Sequence, residues 1–266
     1  MNRSGWYQLT VGLGRVAIKA LGVNLRIEGA HHIPRTGPVI LAANHVSYVD
    51  FVQVAELARR RRRQVRFFVR HDAWHPRGLD TPMTAMGHIP VDRAAPAAAY
   101  LQARRLLREG EAVGNFPEAG ISYSFTVRSL MKGTAALARE TGAVVVPIAL
   151  WGGQRIYTVG RPREGHVNRH DLSRGRTLDV LCGPPLSCAP EDDLVEWTQR
   201  LGAVLTGLLE EVQRRPEHLP AAGEYAPWYP AHLGGHAPSR HEALGLDVVP
   251  RAAVPPSWGP HLDTRP

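Results

Sequence analysis

Short apolar runs, each followed by a stretch of helical periodicity, recur along the first 213 residues of the chain. The clearest is Val39-Ile40-Leu41-Ala42-Ala43, which has no polar position to turn toward water. A strand with no wet side has to be covered on both faces, and such strands belong to parallel sheets wrapped in helices. Similar runs at 23–28, 65–69, 112–116, 143–148 and 178–182 predict further strands, and helical spacing predicts helices over 47–60, 97–109, 132–140 and 192–213. Gly110 and Gly142 close two of those helices, where a left-handed residue ends the coil without a Cβ penalty. The alternation predicts an α/β fold with a central, largely buried sheet flanked by helices.

The 266 residues are 44% hydrophobic and 21% charged, enough apolar surface for a core, which excludes a disordered, collagenous or disulfide-framework chain. Cys182 and Cys188, in Cys-Gly-Pro-Pro-Leu-Ser-Cys, fit no zinc spacing and read as reduced thiols. No run of about 18 apolar residues exists to span a bilayer. The first twenty residues carry Arg3, Arg15 and Lys19 but neither a continuous apolar stretch nor a small-residue cleavage site, so they do not read as a signal peptide. The expected location is cytoplasmic, peripheral on the inner face of the cell membrane.

Three segments are expected. Residues 1–22 place Trp6, Leu9, Leu13, Val16 and Ala20 at helical spacing, with Arg15 and Lys19 on the far side. This amphipathic helix either packs on the core or lies in a membrane interface with Trp6 and Tyr7 at headgroup depth. Residues 23–215 hold the strand–helix alternation. Residues 216–266 contain ten Pro and no periodicity, which predicts a poorly ordered or extended tail that can wrap on the body through Trp228, Tyr229 and Leu233. The net charge of +8 is concentrated in the body: the tail has three Arg against five acids, leaving +10 on the first 215 residues. A basic body favours anionic partners. The run Arg59–Arg63, extended by Arg66 and Arg70, reads either as a solvated helix end or as a face toward anionic lipid or a cofactor phosphate. No helix-turn-helix, zinc finger or aromatic RNA-binding strand accompanies it, so nucleic acid is not expected.

The chemistry-bearing residues begin at Asn44-His45-Val46-Ser47-Tyr48-Val49-Asp50. The apolar strand 39–43 delivers His45 to a carboxyl end, where open α/β sheets build their sites. Ser47 can cap the following helix, which sets Asp50 in its first turn. A carboxylate there can take one imidazole nitrogen, fixing the tautomer and leaving the other nitrogen as a base. The chain has no Gly-x-Ser-x-Gly and no His beside either Cys, so a base without its own nucleophile points to a substrate hydroxyl. A structural His at a helix start is the competing reading of that spacing alone.

Three further elements follow in order: Gly87-His88-Ile89-Pro90-Val91-Asp92-Arg93, then Asn115-Phe116-Pro117-Glu118-Ala119-Gly120, then Val145-Val146-Pro147-Ile148. With His45-x4-Asp50 they resemble the glycerolipid acyltransferase family, which includes the 1-acyl-glycerol-3-phosphate acyltransferases, over roughly residues 25–160. The resemblance implies that His45 is the general base and Asp50 its partner. A fatty acyl group would pass from acyl-CoA or acyl carrier protein to the hydroxyl of a lysophosphatidate-like acceptor in phospholipid biosynthesis, with no acyl-enzyme. It implies an acceptor site formed by Arg93 and by Phe116, Pro117 and Glu118, and calls for no metal or redox cofactor.

One departure is visible. The family pattern Phe-Pro-Glu-Gly-Thr-Arg reads Phe-Pro-Glu-Ala-Gly-Ile here, so Ile121 stands where the motif has Arg. The missing cation can be supplied by Arg128 or Lys132, with Ser122 as a polar contact. Otherwise the acceptor is a glycolipid or another lysophospholipid, or the chain is a catalytically silent lipid-binding protein. The His pairs His71/His75 and His166/His170 have helical spacing but no third ligand nearby, so no metal site is expected.

Overall fold

The computed structural model describes residues 3–71, 80–92, 95–160 and 171–260. Its strands are β1 (Asn24–Glu28), β2 (Val39–Ala43), β3 (Val65–Arg70), β4 (Ile89–Val91), β5 (Ala112–Asn115), β6 (Leu130–Met131), β7 (Val144–Trp151), β8 (Thr177–Cys182) and β9 (Ala253–Val254). Seven of them form one sheet in the order β1-β8-β7-β2-β5-β3-β4, and β6 pairs with β9 in a separate antiparallel ribbon. The five strands from β7 to β4 are mutually parallel; β8 runs antiparallel to β7 and carries β1 parallel to itself.

The helices are α1 (Arg3–Ala20), α2 (Asp50–Arg60), α3 (Asp80–Met86), α4 (Ala97–Arg108), α5 (Gly133–Thr141), α6 (Leu194–Gln213) and α7 (Arg240–Ala243). β2 is buried along its whole length, as its all-apolar sequence requires. Val39, Leu41 and Ala43 pack with Val54, Leu57 and Ala58 of α2. Ile40 and Ala42 face the opposite layer, with Ala103 of α4, Leu137 of α5 and Leu205 of α6. The chain leaves β2 through α2 toward β3 on one side and leaves β5 through α5 toward β7 on the other. Neighbouring strands whose exits diverge open a crevice at their carboxyl ends.

Each expected strand and helix is present, with ends moved by up to three residues. The three-residue shifts are at the end of β7, which runs on to Trp151, and at α2, which begins at Asp50 rather than residue 47. Ser47 does not cap it: its hydroxyl donates to the Tyr157 carbonyl (2.7 Å) and accepts from Val49 N–H, so the residue belongs to the preceding turn.

α1 resolves the two faces the sequence left open. Tyr7 is buried, and its hydroxyl accepts the N–H of Val65 at 3.1 Å. Leu9, Leu13 and Val16 are 46%, 62% and 65% exposed, so the expected apolar stripe points away from the body. The arginine run fits neither reading proposed for it as a whole. Arg63, 8% exposed, donates to the carbonyls of Pro34, Gly37 and Gly110, and Arg66, 2% exposed, to Met86 carbonyl and Glu111. Arg59 pairs with Glu56, and Arg61 donates to Ile33 carbonyl. These cations tie loops together at the amino ends of the strands, the opposite end of the sheet from His45.

Residues 216–260 lie along the body. His218 is buried against Asp179 of β8 (2.6 Å), Tyr229 donates its hydroxyl proton to Gln213 carbonyl, and Trp228 and Leu233 pack on the same cluster. Trp258 is 5% exposed and its indole N–H donates to Val127 carbonyl at 3.0 Å. Its ring occupies the place a side chain at Gly202 would take, since a Cβ there would fall 2.4 Å from the ring. Both cysteines are free and buried, and burial pushes the Cys182 thiol up to about 12. Among the described residues no helix is long and apolar enough to cross a membrane.

Candidate active site

β2 and β5 are hydrogen-bonded neighbours, so the segments that follow them emerge side by side. The first carries Asn44 and His45. Asn44 is buried and clasps β7 with both ends of its amide, donating to Leu150 carbonyl (3.1 Å) and accepting Leu150 N–H (2.7 Å). This clamp fixes the backbone just before His45.

The imidazole Nδ1 of His45 lies 2.9 Å from Oδ2 of Asp50. The same oxygen accepts the N–H groups of Val46 and Ser47, each at 2.8 Å, and Gln53 donates to Oδ1 at 3.3 Å. The Asp50 side chain is wholly buried, while that of His45 is 21% exposed. A carboxylate accepts hydrogen bonds, so the neutral imidazole carries its proton on Nδ1 and leaves Nε2 with a lone pair. Nε2 has no protein partner among the described residues. One face of the ring stacks on Phe116, centroids 4.3 Å apart. Phe116 in turn lies parallel to Phe67 at 6.4 Å, and Phe67 meets Phe51 and His88. An aromatic row therefore runs from His45 toward β3.

The second segment, after β5, is the loop 116–129. Glu118 is 1% exposed and spans the two segments: Oε1 accepts His45 N–H at 2.7 Å and Oε2 accepts Arg128 N–H at 3.0 Å. Burial pushes its carboxyl up to about 8. Ser122 N–H returns a bond to His45 carbonyl at 3.0 Å, so His45 is held at both of its peptide groups by this loop. Ala119 takes a left-handed conformation (φ 55°) to make the turn. Arg128 is 7% exposed, and its guanidinium donates to Glu118 carbonyl (2.9 Å) and pairs with Asp247 (3.2 Å). It lies over Gly120, where any side chain would collide with it: a Cβ would come within 2.4 Å.

The structure therefore brings together His45, Asp50, Phe116, Pro117, Glu118, Ser122 and Arg128. Both carboxylate oxygens of Glu118 are taken by main-chain amides, which makes it a strut between loops. Ser122 is wholly buried and its hydroxyl joins a chain through Ser124 to Thr126. Pro117 is buried and its carbonyl accepts Met131 N–H. Lys132 is exposed at the start of α5, and its charge helps lower the carboxyl of Asp193 at the start of α6. Arg93 lies outside the described residues, as do His75, His166 and His170. Ile121 is buried at 8% exposure. Gln53 and Asp247, both in contact with this network, went unnoticed in the sequence. Gln53 lies one helical turn after Asp50, a signal that spacing alone offers, whereas Asp247 offers none. Among the described residues no group of three or more His, Cys, Asp or Glu could hold a metal ion.

Residues 24–151 match the family model described as Acyltransferase. The chain is 29% identical over 169 residues to a chloroplastic 1-acyl-sn-glycerol-3-phosphate acyltransferase of Arabidopsis thaliana, covering 59% of this chain and 46% of that protein. It is 24% identical over 143 residues to a 1-acyl-sn-glycerol-3-phosphate acyltransferase of Borreliella burgdorferi, covering 52% of this chain and 55% of the other. The chain thus spans about half the length of the curated relatives it matches. In fold it is similar to the crystal structure of the 1-acyl-sn-glycerophosphate acyltransferase PlsC from Thermotoga maritima. The TM-score is 0.63 at 20% identity, with 80% of this chain and 82% of that chain covered.

Proposed function

We propose that this chain, whose residues 24–151 match the acyltransferase family model, transfers a fatty acyl group from a thioester to the hydroxyl of lysophosphatidate. The donor is acyl-CoA or acyl carrier protein. The observation that carries the reading is the His45–Asp50 pair, with Nδ1 engaged and Nε2 open at the carboxyl end of β2.

In this reading Nε2 takes the acceptor's hydroxyl proton as the oxygen attacks the thioester carbonyl carbon. The resulting imidazolium is balanced by the Asp50 charge 2.9 Å away. As the tetrahedral intermediate collapses, the C–S bond breaks and the departing thiolate takes the proton back from Nε2. The product ester and free thiol leave with His45 neutral again. A positioned base of this kind contributes roughly 10²–10⁴ in rate. The aromatic row from Phe116 to Phe67 offers an apolar wall for the acyl chain.

The acceptor headgroup is where a second reading has support. Ile121 is buried, and Arg128, one of the replacement cations, is already held by Glu118 and Asp247. These facts favour a glycolipid or lysophospholipid acceptor, unless Arg93 supplies the phosphate contact. Contact with an anionic membrane surface, on the inner face of the cell membrane, is proposed through α1. Its Leu9, Leu13 and Val16 are turned outward, away from the body.

Purified protein incubated with palmitoyl-CoA and lysophosphatidate, glycerol-3-phosphate, lysophospholipids or a glycolipid tests both readings, by thiol release and product mass. Transfer to lysophosphatidate that disappears in His45→Ala supports the first reading. Transfer confined to another acceptor supports the second. Wild-type turnover by His45→Ala removes the base assignment, and no transfer to any acceptor returns the silent lipid-binding protein.

A further inference from the structure

Asp247 stands 99 residues beyond Ile148, the end of the last motif, yet its carboxylate closes the network around His45. Oδ1 accepts Tyr123 N–H at 3.3 Å and pairs with Nη1 of Arg128 at 3.2 Å. Arg128 then reaches Glu118 through two bonds, its main-chain N–H to Oε2 and Nη2 to the carbonyl. Glu118 in turn holds His45 N–H at 2.7 Å. Each side chain along this path is nearly dry: those of Asp247 and Arg128 are 5% and 8% exposed, and Glu118 is 1% exposed. Buried charges hold a defined geometry only while their partners remain, because an orphaned one is expensive to leave dry. Asp247 is itself fixed. Its N–H bonds to Ala243 carbonyl at the end of α7, a helix capped by Ser239 and Glu242 and tied to Trp258 and Pro260 through Arg240.

We propose that Asp247 is a positioning residue for acyl transfer: through Arg128 and Glu118 it fixes the main chain of His45, and with it the direction of Nε2. The tail is on this view a working part of the site. The proposal rests on the acyl-transfer reading for its kinetic test, and one arm of the experiment is independent of that reading.

Asp247→Ala is compared with Val248→Ala, an adjacent residue 76% exposed that perturbs the same stretch of tail. Rates are expressed per folded molecule, with the folded fraction taken from thermal unfolding. Asp247→Ala is expected to lower kcat on the order of tenfold to a hundredfold, as small misplacements of a catalytic group do. KM for donor and acceptor should stay within about twofold, and Val248→Ala should match the wild type. Combined with Glu118→Gln, the losses should fall well short of multiplying, because both act through the same strut. In proton NMR, the hydrogen-bonded Nδ1 proton of His45 should shift or broaden in Asp247→Ala and stay put in Val248→Ala. A kcat unchanged per folded molecule overturns the proposal, as does full multiplicativity with Glu118→Gln. A wild-type chain inactive toward every donor and acceptor overturns the acyl-transfer reading instead. The positioning claim then stands or falls on whether the His45 resonance moves.

Discussion

Replacing Asp50 by Asn separates what its charge does from what its shape does. Asp50 Oδ2 accepts three hydrogen bonds, from His45 Nδ1, Val46 N–H and Ser47 N–H, so the variant must keep an oxygen at that corner. It can, because its amide nitrogen then takes the Oδ1 corner facing Gln53, whose own Oε1 is buried without a partner. Turning the Gln53 amide over lets that oxygen accept from the new NH₂, and the packing of the site is untouched. The tautomer of His45 also survives, since Nδ1 still donates to an oxygen. Only the charge opposite the imidazolium is lost. A hydrogen bond to a charged group contributes about 1.5–3 kcal/mol and a neutral one about 0.5–1.5, a difference of about 1–2 kcal/mol. Placed in the transition state, that predicts a fall in kcat of about 5- to 30-fold, with the melting temperature little changed. Asp50→Ala, by contrast, leaves two buried amides without an acceptor at about 1–3 kcal/mol each, and should melt well below the wild type. The assay is single-turnover acyl transfer beside thermal unfolding. An Asn variant with the wild-type rate would show that the charge is not used. One as dead as His45→Ala with an intact fold would show that Asp50 does more than balance an imidazolium.

Two further outcomes follow from other features. Glu118, pushed up to about 8 by burial from an ordinary 4.5, keeps its proton in the folded state where the unfolded chain releases it. Its contribution to stability therefore falls as pH rises from about 4.5 to about 8. Arg128 and Asp247 face the same carboxyl with opposing influence. Urea titrations should show the wild type losing stability across that window relative to Glu118→Gln, and parallel curves would contradict the assignment. Leu13→Glu with Val16→Glu, at positions 62% and 65% exposed, should change folding stability by about 0.5 kcal/mol or less per site while cutting sedimentation with anionic vesicles. Undiminished sedimentation would take the membrane contact away from α1.

The parts of the fold legible in the sequence were those with one physical solution. An all-apolar run such as 39–43 must be a doubly covered strand, and the His45–Asp50 spacing delivers a hydrogen-bonded pair once the strand ends where it does. Where the sequence allowed two solutions, packing chose. The apolar stripe of α1 was plain, but Tyr7, the residue that turns inward, lies off it, because a phenol can bury its ring and still satisfy Val65 N–H. The arginine run looked like a surface, yet Arg63 and Arg66 are consumed by carbonyls left over where loops enter the strands. Glu118 resembled a ligand contact, and its role as a strut depends on two amides from segments far apart in sequence. Asp247 could not be found by spacing at all, since nothing local distinguishes it from any tail carboxylate.

The pairing of Trp258 with Val127 has a consequence for how the molecule is made. The two residues are separated by 131 positions, and β9 meets β6 across a similar gap. A nascent chain emerges at about 5–20 residues per second, so the loop beside the base leaves the ribosome several seconds before the residues that seat it. During that interval the sheet can assemble from segments already released, while Val127 and Leu130 wait without their final cover. This end of the sheet is therefore completed late, and a ribosome stalled before residue 247 would hold a body with its sheet in place and the network around His45 unbraced.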